Sequence, residues 1–225
     1  MGLFFRRTTK PALAASIAWS VSVWWFGEGL GGILTGGSPL TGTPGAVILY
    51  ALIALLLWPT RDDPAAHFAP ALRGPLGATV PKLAWLVLWA GSGCYLLLPA
   101  NRAPKAVSQI FASMATGQAG WVKFIEDSLA AITAHHGLGV SILLTLACAL
   151  AGLAIFADRL TRPTLVLACM LGLLFWMAEG FGGLTTGQAT DPNSGPLLIH
   201  LAACFWPWTL AKTAGYPGRC GLRVT

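Results

Sequence analysis

The sequence predicts an all-α integral membrane protein with about six transmembrane helices and a parallel internal repeat. Only 10% of the 225 residues are charged, against about 25% in soluble domains. Hydrophobic residues make up 55%, and the mean hydropathy is +0.68. Six stretches lack charged residues for long enough to cross a bilayer or nearly so. They lie at about 11–27, 45–59, 83–100, 138–157, 163–178 and 196–211. Little chain remains for a soluble domain, so we expect residues 1–225 to form a single transmembrane domain.

The first apolar stretch resembles a secretory signal peptide, because three basic residues precede it. Its end, however, carries a motif that recurs near residue 176, where no signal peptidase site applies. We therefore expect the segment to be retained as the first span.

A twelve-residue motif occurs twice, each time at the end of an apolar stretch. Residues 25–36 (WFGEGLGGILTG) and 176–187 (WMAEGFGGLTTG) are identical at seven positions, including the single acidic residue of each copy. We call them the first and second Glu-Gly motifs. The similarity extends downstream, where Thr43-Pro44 and Trp58-Pro59 match Asp191-Pro192 and Trp206-Pro207. Internal duplication with a carboxylate near membrane depth is typical of transport proteins.

The duplication divides the domain into three parts. A first repeat hairpin covers about 11–59, a central helix pair covers about 83–157 and includes an external loop at 101–137, and a second repeat hairpin covers about 163–211. With the N-terminus inside, eleven Lys and Arg residues lie on the cytoplasmic side and three on the other. This bias predicts cytoplasmic N- and C-termini in a multi-pass protein of the bacterial plasma membrane. Spans one and five, like two and six, then run in the same direction.

Each motif places one carboxylate, Glu28 or Glu179, near the outer end of its helix. In a structural interpretation, each accepts hydrogen bonds from N–H groups exposed where the helix breaks. In a functional interpretation, the two carboxylates meet near the pseudo-twofold axis that relates the parallel repeats, and they share a proton or a cation. A third interpretation leaves both as isolated surface groups. Thr35, Thr186 and Asp191 complete the candidate ion or solute site.

The glycines that follow each glutamate are too dense for a regular helix end. They form either the close-packing face of a continuing helix or a break through the outer mouth with backbone groups facing a polar cavity. The prolines that follow favour the break. The candidate backbone-break glycines are Gly29, Gly31, Gly32, Gly180, Gly182 and Gly183.

The external loop at 101–137 contains two apolar runs at helical spacing, separated by residues 117–120 (GQAG). This pattern predicts two short amphipathic helices. They either lie on the lipid surface or fold across the mouth of the protein.

Metal and nucleic-acid binding are weakly supported. His135 and His136 could join the carboxylates of Glu28, Glu179 and Asp191 around a divalent metal, but their spacing matches no established motif. We predict no resident cofactor. The net charge of +6 comes from basic residues beside the spans, facing an anionic leaflet, so the expected partner is the lipid bilayer and not a nucleic acid.

The Glu-Gly-x-Gly-Gly-x-x-Thr-Gly and Asp-Pro-Asn-Ser-Gly-Pro segments, in an Ala/Gly/Leu-rich and Arg-over-Lys composition, resemble uncharacterised polytopic membrane proteins of high-GC bacteria. The resemblance implies no activity.

Three functions remain open. The first is a small transporter or channel for an ion or small solute with a Glu-Gly site near the outer face. The second is a structural or accessory subunit of a larger membrane complex, joined by further copies or by other subunits. The third is a membrane enzyme acting on a lipid or an external metal-bound substrate, although no catalytic motif is present.

Overall fold

The computed structural model describes residues 6–59, 77–157, 161–187 and 193–213. Within these ranges the chain forms eight α-helices and no β-strand. In chain order they are α1 (Arg6–Phe26), α2 (Ala46–Leu56), α3 (Thr79–Leu96), α4 (Ala106–Met114), α5 (Gly120–Thr133), α6 (Gly137–Leu153), α7 (Thr161–Ala178) and α8 (Ser194–Thr213). Short 3₁₀ turns lie at Gly29–Gly32, Pro39–Thr41, Ala154–Phe156 and Gly180–Gly183.

A helix occupies each of the six predicted apolar stretches, and the all-α class is confirmed for the described residues. Two helical segments, Gly137–Phe156 and Thr161–Ala178, are long and apolar enough to cross a membrane, with mean hydropathies of 2.4 and 1.5. α2 is shorter than predicted. Its 11 residues cover about 16 Å, roughly half of a bilayer's hydrocarbon core. The number of six spans therefore stays a prediction.

The six helices that occupy the apolar stretches pack as two hairpins beside a central pair. α1 packs against α2, α7 against α8, and α3 against α6. Contacts of α2 with α8, and of α6 with α7, join the three pairs. The two hairpins diverge at their ends: α2 stops at Leu56, before Trp58-Pro59, whereas α8 continues through Pro207 to Thr213.

A buried aromatic cluster joins α3 to the second hairpin. Trp85 and Trp89 on α3 are each 1% exposed, with ring centroids 5.7 Å apart. Trp85 meets Phe205 of α8 edge to face at 5.1 Å, and Trp89 lies 6.4 Å from Phe175 of α7. The indole Nε1–H of Trp85 donates to the carbonyl of Ala151 at 2.8 Å, which satisfies its polar group inside the apolar core. The cluster fixes the second hairpin, and with it the second Glu-Gly motif, against the central helices.

The two short helices predicted within residues 101–137 are α4 and α5, and they pack against each other. Their shared face buries Val107, Phe111 and Val122, while Trp121 and Phe124 are exposed. α4 also contacts α6, α7 and the Pro39–Thr41 turn. The α4–α5 pair is therefore folded onto the body of the chain.

Candidate functional site between the two repeats

Both Glu-Gly motifs fold into the same left-handed turn. Residues 29–32 have φ angles of 55°, 62°, 60° and 78°, and residues 180–183 have 61°, 53°, 65° and 73°. The backbone N–H three residues after each glutamate donates to that glutamate's carbonyl, at 2.9 Å and 3.2 Å. Four consecutive residues in this region cannot continue a right-handed helix. The chain therefore turns at each motif and does not extend as a close-packed helix.

One residue in each turn adopts the left-handed region without being glycine. Leu30 and Phe181 have φ of 62° and 53°, a conformation that costs an L-residue about 1–2 kcal/mol. Phe181 is supported by two rings: Trp176 contacts it edge to face at 5.1 Å, and Trp121 of α5 lies at 5.9 Å. Aromatic contacts of this kind each contribute about 0.5–1.5 kcal/mol, enough to offset the backbone strain.

The carboxylate of Glu28 lies at the start of α2. Its Oε1 accepts a hydrogen bond from the backbone N–H of Val47 at 3.3 Å. Oε2 lies so close to Gly45, whose φ is 100°, that a Cβ at this position would overlap it. The indole of Trp24 donates to the carbonyl of Pro44 at 2.7 Å and holds the same segment.

Glu179 has the equivalent position at the start of α8. Its Oε2 accepts from the backbone N–H of Ser194 at 3.1 Å, and its Oε1 accepts from the Ser194 hydroxyl. Each glutamate therefore binds the N-terminus of the helix that follows it in the chain, where unpaired N–H groups and the helix dipole favour a negative charge. This is the geometry of the structural interpretation.

The two glutamates nevertheless share one cavity. A Cβ on Gly42 of the first repeat would lie 3.3 Å from Oε1 of Glu179. Gly45, which contacts Glu28, donates its N–H to the carbonyl of Gly42 at 2.7 Å. A single turn at residues 42–45 therefore lies beside both carboxylates.

This inter-repeat cavity has a volume of about 450 Å³, within the range of roughly 300–1,000 Å³ that is usual for small-molecule sites. Its walls carry two carboxylates, hydroxyl groups, one amide and many glycines. The lining residues are Glu28, Gly31, Gly32, Thr35, Gly37, Thr41, Gly42, Thr43, Gly45, Ala46, Glu179, Asn193 and Ser194.

The other predicted site residues are distributed differently. Thr35 lines the cavity, and its hydroxyl donates to the carbonyl of Gly32 at 3.1 Å. Thr186 makes the same bond to Gly183 at 2.9 Å but does not line the cavity. Asp191 lies outside the described residues.

Three side chains that hold the motifs have no counterpart in the sequence predictions. The hydroxyl of Tyr95 donates to the carbonyl of Ile33 at 2.9 Å, and Nδ2 of Asn101 donates to the carbonyl of Gly36 at 3.1 Å. At the second motif, Nε2 of Gln118 donates to the carbonyl of Gly180 at 3.1 Å. No repeat or spacing marks these residues; a lone amide in the glycine-rich segment between two amphipathic runs is the single visible signal.

The predicted metal site lies only partly within the described residues, since Asp191 is outside them. His135 and His136 are exposed after the end of α5. Within the part of the chain that the structure describes, no three His, Cys, Asp or Glu side chains are grouped to hold a metal ion.

The chain matches no protein-family model, no curated protein and no solved structure. No activity or ligand is therefore carried over from a relative.

Proposed function

We propose that this chain is a multi-pass protein of the bacterial plasma membrane that binds a small cation or small polar solute in the inter-repeat cavity, as a transporter or channel. The observation that carries the proposal is the cavity itself. Two glutamates that lie 151 positions apart in the sequence face one space of about 450 Å³. A purely structural pair of helix-binding carboxylates has no need of a common cavity.

Helix placement and charge support the membrane location. All six apolar stretches are helical, and two of the helices meet the length and hydropathy of a span. In the proposed orientation both motifs face outward, and α2 extends about half way through the bilayer from that side. The outer face then carries three basic residues and the cytoplasmic face eleven.

The lining chemistry narrows the class of ligand. Hydroxyl, amide and carboxylate oxygens suit cations and hydrogen-bond donors. The two carboxylates are each stabilised by a helix N-terminus, which offsets part of their charge. A small cation with part of its hydration shell, or a small amine, fits the volume of the cavity. Either one would also supply the positive charge and the hydrogen-bond donors that the lining oxygens can accept.

A second candidate function, a subunit of a larger membrane complex, is favoured by α1. This helix packs on α2 and the first motif, yet much of its apolar surface is uncovered. Trp19 is 72% exposed and Phe26 is 86% exposed. Either lipid or a partner helix would cover such a surface.

The test is ligand-dependent stability of the purified protein in mild detergent. Thermal unfolding is measured with Na⁺, K⁺, Mg²⁺, Ca²⁺ and ethanolamine, because a ligand that binds the folded state stabilises it by about 2.7 kcal/mol at 100 times its Kd. The wild type is expected to gain stability with at least one of them. Glu28→Gln and Glu179→Gln should lose that gain, each compared with its own ligand-free baseline. Uptake of the same ligand into proteoliposomes then separates transport from binding alone.

Asp127→Asn, compared with the wild type at pH 5, is the matched control, since this exposed carboxylate lies on α5 and does not line the cavity. At that pH it should keep the full ligand effect. Equal responses of the wild type and both cavity variants to every ligand would contradict the proposal. Stoichiometric copurifying membrane proteins, combined with such equal responses, would support the subunit function instead.

A further inference from the structure

A third glutamate, Glu126 on α5, is buried, and no described residue bonds to its carboxylate. Its side chain is 0% exposed, and neither carboxylate oxygen has a hydrogen-bond partner among the described residues. An ionised carboxylate in such a place is strongly disfavoured, because nothing replaces its lost hydration. The protonated acid is far less costly to bury.

Nearby charges do not compensate for this burial. α4, which packs against α5, carries no titratable side chain between Ala106 and Met114. On α5 itself Lys123 and Asp127 form an exposed ion pair with each other. Other titratable groups on the elements that contact the α4–α5 pair, or flanking it, are Cys148 on α6, Arg162 and Cys169 on α7, Glu179 beside the second motif, and the exposed Arg102, Lys105, His135 and His136. No cation is shown to pair with Glu126 among the described residues.

Burial, with a smaller contribution from the negative charge of Asp127, raises the pKa of Glu126 from 4.5 to about 7. The pKa of Glu126 is higher in the packed state than in a loosened state, where its carboxyl group is exposed. Between pH 4.5 and about 7 the packed state therefore holds a proton that the loosened state has released. The packing of α5 is therefore strongest at low pH, weakens as the pH rises from about 4.5 to about 7, and then levels off. A pKa difference of this size changes the packing equilibrium on the order of 100-fold.

The same pair of helices holds the second Glu-Gly motif. Gln118, two residues before α5, donates to Gly180 and accepts from the hydroxyl of Thr185. Trp121, in the first turn of α5, lies against Phe181. Glu126 lies five positions after Trp121, about 7.5 Å along the helix. A change in how α5 packs at Glu126 would therefore act on a helix that also contacts the motif.

We propose that Glu126 is a proton-binding site whose occupancy keeps the α4–α5 pair packed on the second Glu-Gly motif. Loss of the proton draws water to the carboxylate and loosens α5. The contacts of Gln118 and Trp121 with residues 180–185 then weaken, and the turn that positions Glu179 at the cavity is released. Proton binding at Glu126 thus controls the inter-repeat cavity. The link to solute binding rests on the proposed function, whereas the proton site does not.

The experiment is hydrogen–deuterium exchange of the detergent-purified full-length chain from pH 5 to pH 8.5, corrected for the pH dependence of intrinsic exchange. Amides of 106–133 in the wild type should become on the order of 100-fold less protected across this range. Glu126→Gln, which keeps the shape without the charge, should stay protected at every pH. Asp127→Asn should keep the transition with a lower midpoint, because a neighbouring negative charge has been removed.

Identical pH profiles for the wild type and Glu126→Gln would overturn the proposal. Should Glu126→Gln fail to fold, a second measurement on the wild type uses ¹³C-labelled glutamate, of which the chain has three residues. Infrared spectroscopy should then detect a protonated glutamate that titrates near pH 7 and shifts to lower pH in Asp127→Asn; titration of every glutamate near its ordinary value would refute it. Glu28→Gln should leave the exchange transition unchanged, so failure of the cavity proposal and failure of the proton site give different results.

Discussion

Replacement of Gly31 with alanine tests how the first left-handed turn is packed. Gly31 has φ 60° and ψ 34°, and an added Cβ would overlap the carbonyl group of Pro44 and approach the backbone N of Gly45 within 2.6 Å. Backbone atoms cannot rotate away as a side chain does. The same Pro44 carbonyl accepts the indole hydrogen bond of Trp24, so displacing it disturbs a second contact.

Gly29 provides the matched control, because its φ of 55° is nearly the same while no atom lies within 4 Å of its added Cβ. Gly29→Ala therefore carries the conformational cost of a left-handed alanine, about 1–2 kcal/mol, partly offset by about 0.4–1 kcal/mol from the stiffer unfolded chain. Gly31→Ala carries the same terms and an overpacking cost of about 1–3 kcal/mol. The difference between the two variants isolates the steric term.

The assay is equilibrium unfolding of both purified variants in the same detergent. Gly31→Ala should be less stable than Gly29→Ala by about 1–3 kcal/mol, with Gly29→Ala below the wild type by no more than about 1.6 kcal/mol. Equal stabilities of the two variants would refute the packing of the turn against Pro44. A large loss in Gly29→Ala would instead mean that the open side of this turn is covered in the native protein.

Three further predictions concern the second motif, the cavity and the topology. Gln118→Ala removes one donor and one acceptor from the second motif and should destabilise the protein by about 1–3 kcal/mol; unchanged unfolding would mean that the contact does not form in solution. Glu28→Gln and Glu179→Gln should be non-additive in a double-mutant cycle by about 0.5–3 kcal/mol, because both carboxylates contact the turn at residues 42–45, and strict additivity would separate the two sites. In a variant without native cysteines, Ala131→Cys should react with an impermeant thiol reagent in intact cells and Ala78→Cys should not; reversed labelling would contradict the proposed orientation.

The helices and the repeat could be predicted because each rests on a local pattern. Apolar length located the six long segments, and helical spacing located α4 and α5. The matching turns at residues 29–32 and 180–183 could be expected because six of their eight residues are glycine, which adopts positive φ at no steric cost. The left-handed conformation of Leu30 and Phe181 could not be expected in this way. The length of α2 was overestimated, since apolar composition continues through Leu57 and Trp58 although the helix ends at Leu56.

The contacts of the motifs could not be predicted, because they join residues far apart in the sequence. Gln118 lies 62 residues before its acceptor Gly180, and Tyr95 lies 62 residues after Ile33. The burial of Glu126 was also missed. An acidic residue beside Asp127 in a loop helix is normally solvated, and its burial depends on tertiary packing that the local sequence does not show.

The left-handed turns also bear on what the identity between the two motifs means. Of the seven identical positions, four are glycines that have positive φ in both copies, at 29, 31, 32 and 36 and again at 180, 182, 183 and 187. Most other residue types would be strained at these angles. The identity of the glycines therefore reflects a conformational requirement of the backbone. This requirement would persist even if the two halves came to bind different ligands. Divergence between the halves should accordingly be sought at two equivalent pairs that line the cavity and already differ, Gly45 with Asn193 and Ala46 with Ser194.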